Sequence, residues 1–264
     1  MNVHRHQIKK VAIVDFDVHH GNGTQACVSN VVPRTVTHAV STPLCDLQVK
    51  TPSCKPWLGD KDTENILFES VQGFGKIGPP GSSGYFYPGS GSTYDNASVG
   101  NRETSGPGSW RAFEFEAAER VEASGPRVLN IGMPAQRRPK LWRKAYRDHV
   151  LPVLDDFKPD LLLVSAGFDA HKKDFMNHNM IGVDEDDYAW VTKELMKIAN
   201  KHCNGRLVSV LEGGYNLDGR MLSPFAQSVA IHVRTLAKLN GEEWTSEEGE
   251  IERKLEEERE TLKR

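Results

Sequence analysis

Residues 15 to 25 read D-F-D-V-H-H-G-N-G-T-Q and follow the apolar run V-A-I-V, so two carboxylates and two imidazoles stand at the mouth of what reads as a buried strand. Charged groups in such a place are costly unless something pairs with them, and a metal ion is the obvious partner. In an extended strand alternate residues point to the same side, which predicts Asp15, Asp17 and His19 on one face and Phe16 and Val18 on the other. Asp17 and His19 offer an oxygen and a nitrogen suited to a zinc-like ion. Asp15, one step deeper, is placed to orient a neighbour. The segment A-G-F-D-A-H supplies a third ligand, Asp169, at the end of another apolar run. Three protein ligands with a position left for water and substrate mark a catalytic site rather than a structural one. There a metal polarises a carbonyl and activates the attacking water. In E-G-G-Y, the glycines Gly213 and Gly214 permit a tight turn that thrusts Tyr215 toward the same crevice, where its phenol can donate to the oxyanion of a tetrahedral intermediate. Singly these pieces are ordinary: a lone D-x-H, a G-G-Y turn and an Asp after a strand all have bland uses. Their joint occurrence at the ends of strands carries the reading. His20, His171 and His178 read as supporting or surface residues, and His4 and His6 as a mobile terminus.

Such ends require strands. Five runs rich in Val, Ile and Leu supply them: K-V-A-I-V-D-F, N-I-L-F-E-S-V, R-V-L-N-I-G-M, D-L-L-L-V-S-A-G and R-L-V-S-V-L-E-G-G. Apolar runs with little alternation suit strands covered on both faces of a parallel sheet. Between the last three lie helical patterns. Leu141, Trp142, Ala145, Tyr146, Val150, Val153, Leu154 and Phe157 form one stripe, with Pro152 predicting a kink and Pro159 closing the segment. After the acidic turn D-E-D-D from Asp184, a second stripe runs through Tyr188, Val191, Leu195 and Ile198. The alternation of strand and helix over residues 127 to 215 predicts an α/β fold with a mostly parallel, doubly wound sheet and helices on both faces, ligands gathering at the carboxyl ends of its strands.

Residues 73 to 108 form a long loop crowded with Gly, Ser and Pro, in which Tyr85, Phe86 and Tyr87 suggest a pocket wall. From Gly241 the chain is dense in charge of both signs and reads as a solvated helix. This gives a domain over residues 1 to 240 and a charged C-terminal helix over 241 to 264.

Composition narrows the class. The 264 residues are 38% hydrophobic with a net charge of −3, and a mean hydropathy of −0.51 is that of an ordinary soluble protein. No run is long enough to span a membrane. No basic footprint for nucleic acid is present. The N-terminus leaves no room for a signal peptide. Cys27, Cys45, Cys54 and Cys203 form neither a C-x-x-C pair nor a disulfide framework, which suits a reducing, intracellular compartment.

D-F-D-V-H-H-G-N-G-T-Q, F-Y-P-G-S-G, S-A-G-F-D-A-H and L-E-G-G-Y-N-L, in that order, resemble the motifs of the zinc-dependent histone deacetylases, most closely the class II type, over roughly residues 8 to 240. The resemblance implies an arginase and deacetylase type α/β fold and hydrolysis of acetyl-lysine amides, with zinc on Asp17, His19 and Asp169. Tyr215 matches the oxyanion-stabilising tyrosine. Asp15 matches a carboxylate that supports a catalytic histidine. Tyr87, where the family usually has phenylalanine, matches an aromatic wall of the acetyl-lysine channel, and Gly214 lies beside it in the substrate-binding set. Ser70 matches a contributor to a structural K+ site, although Gln72 replaces the usual histidine two positions on. Asn22 stands where some members carry an acid, Lys173 where glycine is common, and residues 134 to 140 are rearranged. An acetylated protein substrate, corepressor-type partners, a role in chromatin regulation and a nuclear or cytoplasmic location are further implications. A Gly-His-His segment, whose histidines serve the family as general base and acid, is expected upstream of the first metal motif and does not occur in these residues. Because such catalysis is worth about 10² to 10⁴ in rate, the expectation is weak or absent turnover by this chain. The alternatives are a non-catalytic zinc- or partner-binding module and an arginase-like ureohydrolase with two manganese ions, which needs more acidic ligands than these motifs offer.

Overall fold

The computed structural model describes residues 8–31, 34–53, 57, 59, 61–78, 84–91, 127–135, 139–219 and 222–237. The charged helix expected over 241–264, most of the Gly-rich loop, and His4 and His6 lie outside the described residues.

All five apolar runs are strands of one parallel sheet. In chain order they are β1 (Val11–Asp15), β4 (Ile66–Gly73), β5 (Arg127–Met133), β6 (Leu161–Ala166) and β7 (Leu207–Leu211), arranged β5-β4-β1-β6-β7. β1 is central, pairing Val11–Asp15 with Ile66–Ser70 on one side and with Leu161–Ser165 on the other. It is buried throughout, as an unbroken apolar run in a parallel sheet must be.

One face of the sheet carries the main core, with α3 (Pro139–Ala145), α4 (Leu151–Phe157), α5 (Glu185–His202) and α6 (Pro224–Leu236) contributing side chains to it. Trp142, Tyr146, Tyr188, Phe16, Phe157 and Phe168 are its largest fully buried side chains, each worth roughly 1.5–3 kcal/mol of burial. The other face is covered more sparsely. There α1 (Asn22–Ser29) lays Val28 with Val31 on Ile13, Ile66 and Phe68. A short α2 (Asp62–Asn65) leads into β4.

The Pro152 kink is present and has a specific form. Five residues of π-helix, Tyr146–Val150, separate α3 from α4, and Pro152 falls in the first turn of α4. Proline has no N–H to give and its ring crowds the carbonyl four residues back, so the turn before it widens. The acidic turn before α5 is a reciprocal cap: Asp184 accepts from the Asp187 backbone and Asp187 from the Asp184 backbone. Some elements, besides the short α2, were not foreseen. These are α1, α6 and the antiparallel pair β2 (Arg34–Ser41) and β3 (Asp46–Ser53), which forms a separate two-stranded sheet.

Candidate active site

The predicted alternation along D-F-D-V-H-H holds only as far as Asp15, where β1 ends and the chain bends. The bend is built from carboxylates that turn back on their own backbone. Asp15 Oδ1 accepts from the Asp17 N–H at 3.0 Å, and Asp17 Oδ1 from the His19 N–H at 2.7 Å, the local bonding for which Asp is favoured in turns. Asp15, Asp17 and His19 therefore do not line one strand face. Asp17 and His19 turn together toward the end of β6, and Asp15 stays beneath them.

There they meet Asp169. One candidate ligand atom from each of Asp17, His19 and Asp169 lies within 4.8 Å of the others, and His19 Nδ1 is 3.0 Å from Asp17 Oδ1 and 3.0 Å from Asp169 Oδ2. The residues between the ligands anchor them. Phe16, Val18, Phe168 and Ala170 are all buried in the core, and the Phe16 and Phe168 rings pack edge to face at 5.6 Å. Asp169 Oδ1 accepts from the Val18 N–H at 3.0 Å, joining the two motifs. Asp169 Oδ2 is buried and faces His19 Nδ1 at 3.0 Å, the same ring nitrogen that Asp17 Oδ1 contacts at 3.0 Å, and two carboxylates sharing one ring nitrogen is a costly arrangement that a cation would relieve.

Electrostatics point the same way. Burial opposes charge on His19, but hydrogen bonds with Asp169 and Asp17 outweigh it and raise its pKa to about 9. Burial pushes the Asp169 carboxyl up to about 6. A proton held among two acids and an imidazole occupies the place a divalent cation would take. Two glycines make the space. A methyl group at Gly167 would overlap the Asp17 carboxylate, and one at Gly213 would overlap it too and lie 2.8 Å from Asp169 Oδ2. The donor set, the two carboxylates crowded on one imidazole and this side-chain-free cradle fit a zinc-like ion.

Tyr215 follows the two glycines. Gly214 has φ +126° and its missing Cβ leaves room for Phe225, so the turn read from E-G-G-Y depends on glycine at that position. Burial, then the charges of Asp169, Asp17 and Asp174, hold the Tyr215 phenol above its ordinary range, so it stays a hydrogen-bond donor. Its ring is about half exposed. Phe86 stacks flat on His19, with centroids 5.0 Å apart and 5° between planes, while Tyr87 meets His19 edge-on at 6.1 Å. Tyr87 is exposed and Phe86 buried. Of the aromatic trio, Phe86 and Tyr87 thus both lie against His19, with Phe86 the buried one.

Asp15 is buried, and burial together with the Asp17 charge holds its carboxyl well above the carboxylate range. Its second oxygen faces Ser70 Oγ at 3.5 Å. Among the described residues no imidazole is hydrogen-bonded to it. His20 is also buried, bonding Ser90 Oγ and Gln25 Oε1, each at 2.8 Å. His171 is buried with Nε2 3.4 Å from Glu185, and His178 is exposed at the end of a 3-10 turn. None of the three joins the trio. Asp174, which the motifs did not single out, accepts from the Tyr215 and Asn216 N–H groups at 2.7 and 2.9 Å.

A parallel sheet with a carboxylate and imidazole cluster at the carboxyl ends of β1 and β6, and a tyrosine after β7, is an arrangement of the arginase and deacetylase fold. Residues 2–235 match the histone deacetylase domain, and the chain belongs to that family. It is 30% identical over 234 residues to Type-2 histone deacetylase 2 of Dictyostelium discoideum, covering 89% of this chain and 10% of that protein. It is 27% identical to Histone deacetylase 14, chloroplastic, of Arabidopsis thaliana, covering 88% of this chain and 38% of that protein. Among solved structures, the histone deacetylase Clr3 is similar at 25% identity and a TM-score of 0.54, with 89% of this chain and 28% of that one covered. The HDA15 HD domain shares the fold at 23% identity and a TM-score of 0.53, covering 88% and 47%. The chain thus spans less than half the length of each of these relatives. By family it is a hydrolase.

Proposed function

We propose that this chain carries a zinc site for hydrolysis of acetyl-lysine amides, in histones or other acetylated proteins. The observation that carries the reading is the convergence of Asp17, His19 and Asp169 ligand atoms within 4.8 Å, two carboxylates sharing one ring nitrogen, under two glycines that leave the space open. Zinc held by Asp17, His19 and Asp169 would supply Lewis-acid polarisation of the acetyl carbonyl and lower the pKa of a water. The Tyr215 phenol donates a hydrogen bond to the carbonyl oxygen as it gains charge. Phe86 and Tyr87 offer aromatic faces to the lysine methylenes. Asp15 supports the bend that carries Asp17, and Ser70 would contribute to a structural K+ site. The same reading carries intracellular work on chromatin, in nucleus or cytoplasm, with corepressor-type partners.

A second reading is favoured by one observation. Asp15 has no imidazole beside it among the described residues, so the proton transfers worth about 10² to 10⁴ lack a visible agent. The chain as it stands then turns over weakly or not at all, and serves as a zinc- or partner-binding module. A fluorogenic acetyl-lysine assay on zinc-loaded protein, with bound zinc counted in parallel, separates the two. The first reading expects chelator-sensitive turnover that falls about 10² to 10³-fold in Tyr215→Phe. One bound zinc without turnover selects the second, and an absence of bound zinc sinks the first and leaves of the second only a partner-binding module. Two manganese ions per chain would instead support the ureohydrolase, but the described residues hold a single ligand cluster.

A further inference from the structure

We propose that Asp174 is the positioning residue of Tyr215, an inference that rests on the oxyanion role given to Tyr215 above. The Tyr215 ring is about half exposed, and its ring neighbour Phe175, centroids 6.4 Å away, is itself exposed. Packing therefore does little to hold the phenol in place, and its position follows from its backbone. That backbone is tied to the sheet as far as Gly213: Glu212 N–H donates to Ala166 O at 3.1 Å, and Phe168 N–H to Gly213 O at 2.9 Å. At Gly214, with φ +126°, the chain turns away from β6. The next anchors are the Tyr215 and Asn216 N–H groups, and both donate to Asp174 Oδ2.

Asp174 is suited to this. It is buried, with 6% exposure, and its other oxygen accepts from the Met176 N–H at 2.9 Å, while its own N–H donates to His171 O at 2.8 Å. Three donors converge on one carboxylate. An ionised carboxylate has oxygens on both sides to accept them, and such charge-assisted bonds are roughly twice as strong as neutral ones. An amide could not do the same, because its NH₂ would face a donor on one side. Asn216 Nδ2 donates to Lys173 O at 2.6 Å, adding a second tie between the same two loops. At the unusual Lys173 it is thus the main-chain carbonyl that is used. Asp174 lies five residues after Asp169, so one carboxylate couples the loop that carries a metal ligand to the loop that carries the oxyanion donor.

The test uses the zinc-loaded chain and a trifluoromethyl ketone analogue of acetyl-lysine, whose hydrate presents a tetrahedral oxyanion. Calorimetry gives its affinity for Asp174→Ala and Asp174→Asn, each alone and combined with Tyr215→Phe. Amide hydrogen exchange is read at Tyr215 and Asn216. The expected result is a loss of about tenfold in affinity for Asp174→Ala alone and less than about twofold on top of Tyr215→Phe, because contacts that act through one group are not additive. Zinc content stays at one, the two amides lose protection and those of β6 keep theirs. Where Asp174→Ala fails to fold, Asp174→Asn carries the same cycle. Equal losses in both backgrounds, or unchanged exchange at Tyr215 and Asn216, overturn the inference while leaving the oxyanion reading intact. An affinity that Tyr215→Phe itself does not alter removes the oxyanion reading, and this inference with it.

Discussion

At Gly213 a single hydrogen atom keeps the site open. A methyl group there would enter the space shared by Asp17 and Asp169, so Gly213→Ala is expected to weaken zinc binding by at least about 10 to 100-fold, the scale of disturbing a metal's supporting shell. Equilibrium dialysis checks this, with circular dichroism showing that the fold is kept. Wild-type affinity in the variant would mean that the cradle is not where the ion sits. A different economy governs Glu69. It is fully buried on β4, neither of its oxygens is hydrogen-bonded, and burial holds its carboxyl well above the usual range. A raised carboxyl pKa means that the fold favours the neutral form and loses stability as pH rises through the folded value. Glu69→Leu removes an unsatisfied polar group at similar volume and is expected to gain about 1–3 kcal/mol in urea unfolding, most of all at alkaline pH. A lower midpoint would contradict this. The Asp17, His19 and Asp169 trio was legible because its residue types and spacing are chemically unusual over a few positions. Asp174 was not, because its partners stand 41 and 42 residues away. Nor was Phe86 singled out from its trio, since only the folded loop lays its ring on His19.

At the level of elements, legibility followed burial. The five sheet strands could be read because a strand covered on both faces must be apolar throughout. The β2–β3 pair could not, for it buries little: Val40, Leu47 and Val49 are each about half exposed, and R-T-V-T-H-A-V-S gives no core signal. The start of α6 was legible in principle, since Ser223 caps the helix by accepting from Ala226 N–H and Pro224 follows it, a signature of helix entry. α6 is locked to its neighbours by His232, whose ring bonds Thr192 Oγ1 of α5 at 2.7 Å and Ser209 Oγ of β7 at 2.8 Å. Burial lowers its pKa to about 4, so the folded state holds the ring neutral while the unfolded chain protonates it near 6.5. Folding stability from this residue is therefore complete above pH 6.5 and is lost as pH falls toward 4, by roughly 3 kcal/mol at most. Urea midpoints measured from pH 7.5 to 4.5 should fall more steeply in the wild type than in His232→Gln. Parallel curves would show that His232 is not held neutral.

Across the whole molecule, parallel strands bring the chemistry to one end of the sheet. Asp17 and His19 follow β1, Asp169 follows β6 and Tyr215 follows β7, so residues 150 positions apart in the chain share one cluster. The covering of the sheet is uneven, however: Val208 and Val210 on β7 are about half exposed, and the face they share is less enclosed than a doubly wound sheet suggests. At the site end, beyond the paired β1 and β6, the ligand cluster sets Asp17 beside Asp169 with one imidazole between them. A metal that binds only the folded arrangement must stabilise it by mass action, by about 2.7 kcal/mol when free zinc is 100 times its dissociation constant. For a chain of this size that corresponds to a rise in Tm of roughly 5 to 10 °C. Calorimetric melting with zinc should show that rise and a chelator should reverse it, while Asp169→Asn, which keeps the shape but gives up a charged ligand, should show little of it. An equal rise in Asp169→Asn would place zinc elsewhere on the chain and detach the cluster from any metal chemistry.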